Sequence, residues 1–206
     1  QLRTPLSTAL LYASHLCTEE LELQDRVNFA KKLQNQLIHL EKMAGEMLQF
    51  VRARPHKTQI IALDDLVHEA VQTLEGLSQE KRIQLAVTLQ ADNCMVSVER
   101  PTVVSAFVAI LENAIQCSSP GQTIQVQTQA DHLRGQLSIE DNGPGIAEDM
   151  LPRLFEPFAT NRVTGTGLGL AIAQNAIRSH RGEITAQNKP EGGALFVVAL
   201  PSMANL

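Results

Sequence analysis

Asp141-Asn142-Gly143-Pro144-Gly145-Ile146 and, further on, Gly165-Thr166-Gly167-Leu168-Gly169-Leu170-Ala171-Ile172-Ala173 decide the fold. The first piece follows an alternating run, Gln136 to Glu140, so Asp141 puts a carboxylate at the mouth of a loop. The glycines and proline after it turn the chain tightly and leave backbone N–H groups exposed. The second piece is a glycine loop running into an apolar, helix-forming segment, whose unpaired N–H groups and positive end suit an anion such as phosphate. Neither piece decides alone, since Asp-Asn-Gly is also a good hairpin turn. The glycines at 165, 167 and 169 lack the G-x-G-x-x-G spacing of a dinucleotide loop, and no strand leads into them. Weight comes from conjunction with Asn113 in a helical stretch and with Phe155-Glu156-Pro157-Phe158, in that order.

At 206 residues the chain has room for one domain with a good core and a smaller appendage. Hydrophobic residues make up 44% and charged ones 19%, as in a soluble globular protein. No apolar run approaches the roughly 18 residues of a membrane span and the start lacks a signal-peptide layout, so a cytoplasmic fragment without membrane contact is expected. A net charge of −5, 3% aromatics and no Trp leave no footprint for direct nucleic-acid binding. Cys17, Cys94 and Cys117 are scattered and read as reduced thiols. The six histidines are equally dispersed, so a structural zinc site is not expected.

Leu2, Leu6, Ala9, Ala13 and Leu16 step by four and three, as do Ala30, Leu33, Leu37, Leu40, Ala44, Met47 and Val51. The spacing predicts two helices in an antiparallel hairpin with the turn between Cys17 and Asp25. Two helices bury little, so a two-fold dimer making a four-helix bundle through residues 1–54 is expected, the alternative being a pair docked on the second domain. Pro5 is expected to bend the first helix, and Gly45 to mark close packing in the second. Arg52 to His56 reads as the linker. From residue 55 to 206 the pattern is strand and helix: a short run at Gln59 to Leu63, a helix capped by Asp64, strands at Ile83 to Leu89 and Met95 to Val98, and a buried helix from Pro101. A hairpin turning at Asp131 to Gly135 follows, and two last strands turn at Pro190-Glu191-Gly192-Gly193. The expected fold class is α+β: the hairpin, then an α/β sandwich with a mixed sheet and helices on one face.

These residues resemble a sensor histidine kinase core, a dimerisation and phosphotransfer hairpin followed by a catalytic domain of the Bergerat, or gyrase/heat-shock-protein-90/kinase, type. Leu2-Arg3-Thr4-Pro5-Leu6 is similar to the family's H-box, Leu111-Glu112-Asn113-Ala114 to its N-box, and Asp141 to Ile146 to its first glycine box. Phe155 to Phe158 resembles the F-box, and Gly165 to Leu170 the second glycine box. The resemblance implies ATP and Mg²⁺ as cofactors. Asp141 would accept from the adenine amino group, with Gly143, Gly145 and Ile146 beside it. Asn113 would give Mg²⁺ an oxygen, and Phe158, Gly165, Thr166, Gly167, Leu168 and Gly169 would cradle phosphates. Ala147 to Thr164 would be the lid, its short form similar to the nitrogen-regulator subgroup, with Arg162 standing where a lysine is usual and able to hold the γ-phosphate bidentately.

The implied activity is autophosphorylation on histidine and transfer to an aspartate of a response-regulator receiver domain. The acceptor histidine would fall directly before Gln1, so the chain as given is expected to bind ATP without labelling itself. Gln1 replaces an acidic residue; it cannot take a proton but can orient the ring. Thr4 stands where the family positions a water for dephosphorylation, and is equally readable as a first-turn helix residue. Ala109, Gln116 and Cys117 depart from the family's extra metal, phosphate and stacking contacts, which implies weaker nucleotide binding and keeps a phosphatase-biased or scaffold partner as an alternative. A hydrolytic ATPase of the gyrase or chaperone kind would need a carboxylate one turn before Asn113, where Ala109 stands. Arg181 replaces a glycine that is usual after His180.

Overall fold

A computed structural model describes residues 3–18, 21–51, 57–92, 94–162 and 165–203. Gln1, Leu2, the expected linker Arg52 to His56, and Val163 and Thr164 of the expected lid lie outside the described residues, as does the Thr4 side chain. Two compact units emerge: Gln1–Ala53 with Phe158–Leu168, and Arg54–Pro157 with Gly169–Leu206.

In the first unit, α1 (Arg3–Leu16) packs on α2 (Leu23–Val51). His15 stacks on Phe29 with ring centroids 4.9 Å apart, and Tyr12 lies 6.1 Å from the same ring. Ala9 is buried, and Ala13 and Leu16 are half-buried, as the first stripe predicts; Leu6 is 51% exposed. The second stripe splits. Leu33, Leu40 and Met47 turn inward, but Ala30, Leu37 and Ala44 face out, and the inward seam is completed by Phe29, Gln36 and Met43. Both triplets flank the line 33–40–47 on a helix of 3.6 residues per turn, and the Phe29 ring on His15 selects the side that packs. Among the described residues nothing lies within 4 Å of a Cβ built on Gly45, so no packing within the described chain accounts for that glycine. Pro5 lies within α1, and Gln1, whose carbonyl a proline at this place would leave without its helical donor, lies outside the described residues.

In the second unit, β1 (Gln59–Ala62) pairs antiparallel with β3 (Met95–Val98). A five-stranded sheet has the order β2-β4-β5-β7-β6, from β2 (Gln84–Gln90), β4 (Thr123–Ala130), β5 (Arg134–Glu140), β6 (Glu183–Asn188) and β7 (Ala194–Pro201). β2 runs parallel to β4 and every other pair is antiparallel, so the sheet is mixed. Side chains alternate: Ile124, Val126, Leu137, Ile139, Phe196 and Val198 are buried, while Gln125, Gln127 and Gln129 are exposed. The buried face meets α3 (Leu63–Lys81), α4 (Arg100–Cys117) and α5 (Gly169–Ser179) through Leu66, Phe107, Ile110 and Ile177, giving the α+β sandwich. Asp64 does not cap α3. Ala62 is the N-cap, and the Asp64 carboxylate instead accepts from the Thr128 hydroxyl at 2.5 Å, tying α3 to β4.

The β4–β5 turn closes on Asp131, whose carboxylate accepts from the N–H groups of Leu133 and Arg134; those two bonds hold its pKa below the ordinary carboxylate value. The histidine at 180 is structural: its Nε2 accepts from the Glu99 N–H at 2.9 Å and its Nδ1 faces the Ala176 carbonyl at 2.7 Å, joining the start of α4 to the end of α5. Arg181 then turns the chain out of α5 with φ 59°, a left-handed conformation that explains why glycine suits the place. Among the described residues no helix is long and apolar enough to cross a membrane.

Candidate functional site

One face of α4 organises the site. Ala109, Asn113 and Cys117 follow at four-residue steps and so lie along one side of the helix. At one end a Cβ on Gly143 would come 2.7 Å from the Cys117 carbonyl oxygen; at the other a Cβ on Gly169 would lie 3.9 Å from that of Ala109. Asn113, half-buried, is therefore held between the Asp141 loop and the N-terminus of α5. That end of α5 offers N–H groups and positive potential.

Asp141 follows β5 and is 1% exposed. Its N–H donates to the Ala194 carbonyl at 3.0 Å, and its Oδ1 accepts from the N–H groups of Gly143 at 2.9 Å and Ala194 at 3.2 Å. Among the described residues no donor reaches Oδ2, yet no buried side-chain oxygen is left without a partner. Oδ2 therefore keeps acceptor lone pairs for a donor from outside the loop. The loop leaves no room for side chains: a Cβ on Gly193 would strike the Asp141 carbonyl, and Gly145 has φ +79°.

Motif spacing singled out Asp141, Gly143, Gly145, Ile146, Asn113 and Gly169, and all belong to this unit. It missed what fastens them. Asn188 accepts from the Ile146 N–H and donates to the Ile146 carbonyl, both at 2.7 Å. Lys189 donates to the Asp141 carbonyl at 3.1 Å and to Asn142 Oδ1 at 3.0 Å, and pairs with Glu140 at 3.5 Å. Gln122 donates to the Asn142 carbonyl at 2.7 Å. The only sequence signal was Gly192-Gly193 beside Asn188-Lys189, which reads as a plain turn.

Phe158, Arg162, Gly165, Thr166, Gly167 and Leu168 belong to the other unit. There the Phe158 N–H donates to the Gly167 carbonyl at 2.8 Å, and both residues have φ 68°. A Cβ on Gly167 would come 2.5 Å from the Phe158 carbonyl carbon, so the two backbones pinch the segment's base. Inside it the Thr160 hydroxyl accepts from the Arg162 N–H at 3.1 Å, Gly165 donates to the Arg162 carbonyl at 3.3 Å, and Leu168 donates to the Thr166 hydroxyl at 3.2 Å. Arg162 is half-buried.

Residues 99–204 match the family of histidine kinase-, DNA gyrase B- and HSP90-like ATPases. The chain is 37% identical over 207 residues to the sensor protein kinase FleS of Pseudomonas aeruginosa PAO1, covering 98% of this chain and 50% of FleS. It is 32% identical over 163 residues to the signal transduction histidine-protein kinase AtoS of Escherichia coli K12, covering 79% of this chain and 27% of AtoS. The chain thus spans half or less of the length of these relatives. Its fold is similar to that of histidine kinase ThkA, solved in complex with response regulator protein TrrA: TM-score 0.83 at 20% identity, covering 98% of this chain and 59% of that one. The extent of the family match settles kinship: this chain belongs to the histidine kinase-, DNA gyrase B- and HSP90-like ATPases, among which it carries a histidine kinase ATP-binding catalytic domain.

Proposed function

We propose that the chain is the core of a two-component sensor histidine kinase, in which residues 55–206 bind ATP with Mg²⁺ and residues 1–54 dimerise as a four-helix bundle, the phosphoaccepting histidine being the residue expected directly before Gln1. The observation that carries this reading is the buried Asp141 carboxylate, with Oδ1 engaged by two N–H groups and Oδ2 open. A fixed acceptor of that kind selects the adenine amino group. Gly143, Gly145 and Ile146 let the loop lie close to the base. Asn113 offers an amide oxygen to Mg²⁺, a cation that keeps several waters and asks few protein ligands, so the residues present fit it. When bound, Mg²⁺ supplies charge neutralisation at the phosphates.

In this reading the start of α5 at Gly169 faces phosphate oxygens, Gly165, Thr166, Gly167 and Leu168 belong to the phosphate-binding segment, Phe158 anchors the lid, and Arg162 engages the γ-phosphate. Gln1 would orient the acceptor imidazole and Thr4 a water for dephosphorylation. The fragment would act in the cytoplasm, and the likeness to ThkA supports a receiver domain as the partner. Exposed Leu6, Leu10, Leu37 and Ile38 support the homodimer. Gln116 donates to Glu112 on its own helix, which favours modest phosphate contact and keeps a phosphatase-biased partner as the second reading.

Titration calorimetry of ATP with Mg²⁺ into wild type and Asp141→Asn tests the site. Asparagine keeps an oxygen for the N–H groups of Gly143 and Ala194 but presents an amino group to adenine. Affinity should fall about a hundredfold, the loss expected of a charged hydrogen bond turned to a clash, with little change in melting temperature. Equal affinity would reject this adenine site. Transfer of radiolabel from ATP to histidine and then to a receiver domain separates the kinase reading from the phosphatase-biased one.

A further inference from the structure

We infer that Asn188 and Lys189 are positioning residues of the nucleotide site, an inference that rests on the ATP-binding reading above. The Asp141 loop leaves the sheet at a defined point: the Asp141 N–H makes a ladder bond to Ala194, and the residues after it have no strand beside them. A half-buried backbone without a ladder needs other partners. Asn188, the last residue of β6, supplies them from a side chain. Its amide accepts from the N–H of Ile146 and donates to the carbonyl of the same residue, the pair of bonds that a neighbouring strand would give. The fit is close, since a Cβ on Gly145 would lie 2.9 Å from Asn188 Oδ1.

Lys189 fastens the other end. Its side chain is 18% exposed, and its ammonium group reaches the side chain of Glu140, the carbonyl of Asp141 and the side chain of Asn142, three consecutive residues. The turn that presents both residues is itself closed, with Lys189 N–H bonded to the Gly193 carbonyl at 3.0 Å and Gly192 N–H to the Lys189 carbonyl at 3.1 Å. Gly192 at φ 95° and Gly193 at φ 83° permit it. The loop is thus clasped at Ile146 by Asn188, at residues 140–142 by Lys189, and at Asp141 by Ala194. Asn188 and Lys189 touch no nucleotide in this account; they fix the direction in which Asp141 Oδ2 points, and so the preference for a base with an amino group at that place.

The test compares wild type, Asn188→Ala, Asn188→Asp, Lys189→Met and Asp141→Asn by calorimetry with ATP and with GTP, and reads hydrogen exchange at the Ile146 amide and unfolding in urea. Aspartate keeps the size and the acceptor of Asn188 but loses the donor to the Ile146 carbonyl. Asn188→Ala and Asn188→Asp should each weaken ATP binding about tenfold, shrink the ratio of ATP to GTP affinity, and speed exchange at Ile146, the scale expected for two lost neutral hydrogen bonds in the alanine variant and for one lost bond with a carboxylate set against the Ile146 carbonyl in the aspartate variant. Lys189→Met should shift the ratio in the same direction. Should Asn188→Ala fail to fold, the aspartate and methionine variants carry the test. Unchanged ATP affinity in both of these, with Asp141→Asn defective, overturns the inference. A loss of stability that leaves the ATP to GTP ratio at its wild-type value overturns it too, since it makes the clasp structural only. Full affinity in Asp141→Asn would instead remove the ATP reading on which the inference stands.

Discussion

The helix pair and the sandwich differ in what each leaves unfinished. The sandwich buries Leu66, Phe107, Ile110, Leu137 and Phe196 completely, and the acceptor it holds open in its interior is one oxygen of Asp141. The helix pair is the reverse. α2 runs 29 residues, yet Met43 is its one buried apolar side chain among those described, and Leu6, Leu10, Leu11, Leu37 and Ile38 stand more than half exposed. An acceptor with spare lone pairs suits the donor of a small ligand, and exposed Leu6, Leu10, Leu11, Leu37 and Ile38 suit another apolar surface. The two regions therefore point to different kinds of partner from the same chain.

The sharpest way to break this contrast is Asp141→Asn, with its expected hundredfold loss of ATP affinity. Next comes Leu37→Glu. If the bare face is a dimer seam, placing a carboxylate there should weaken association at least about a hundredfold, seen as a monomer by sedimentation at micromolar concentration, while ATP affinity stays put. A dimer that persists would make the seam someone else's. A smaller effect tests how complete the sandwich is: His180→Ala removes the acceptor for the Glu99 N–H and should lower unfolding free energy by about 1–2 kcal/mol in urea. The smallest runs the other way. Arg181→Gly relieves a left-handed arginine and should raise stability by about 1 kcal/mol.

Local features were legible before any coordinates. Alternation marked β4 and β5, the turn at Pro190 to Gly193 marked β6 and β7, and the loop at Asp141 to Ile146 declared itself because its glycines and carboxylate lie within six consecutive positions. Asn188 and Lys189 stayed hidden because their bonds reach back to residues 146 and 141 through side chains, which no periodicity marks. Asp64 was misread because a helix-starting aspartate looks the same whether it caps its own helix or takes a hydroxyl from a distant strand. The α2 stripe divides in a way periodicity does not announce: residues 30, 37, 44 and 29, 36, 43 flank the same line, and Phe29 meeting His15 sets which flank faces α1.

The strand that completes the Asp141 pocket is β7, which comes last in the sandwich yet sits between β5 and β6. Every motif from Asn113 to Gly169 leaves the ribosome before Ala194 does. During synthesis, then, a nascent chain can display the whole sequence signature of the site and still lack the carbonyl and N–H that hold its carboxylate. If the site binds nucleotide as proposed, the fully held Asp141 acceptor is available to it only once β7 has joined the sheet.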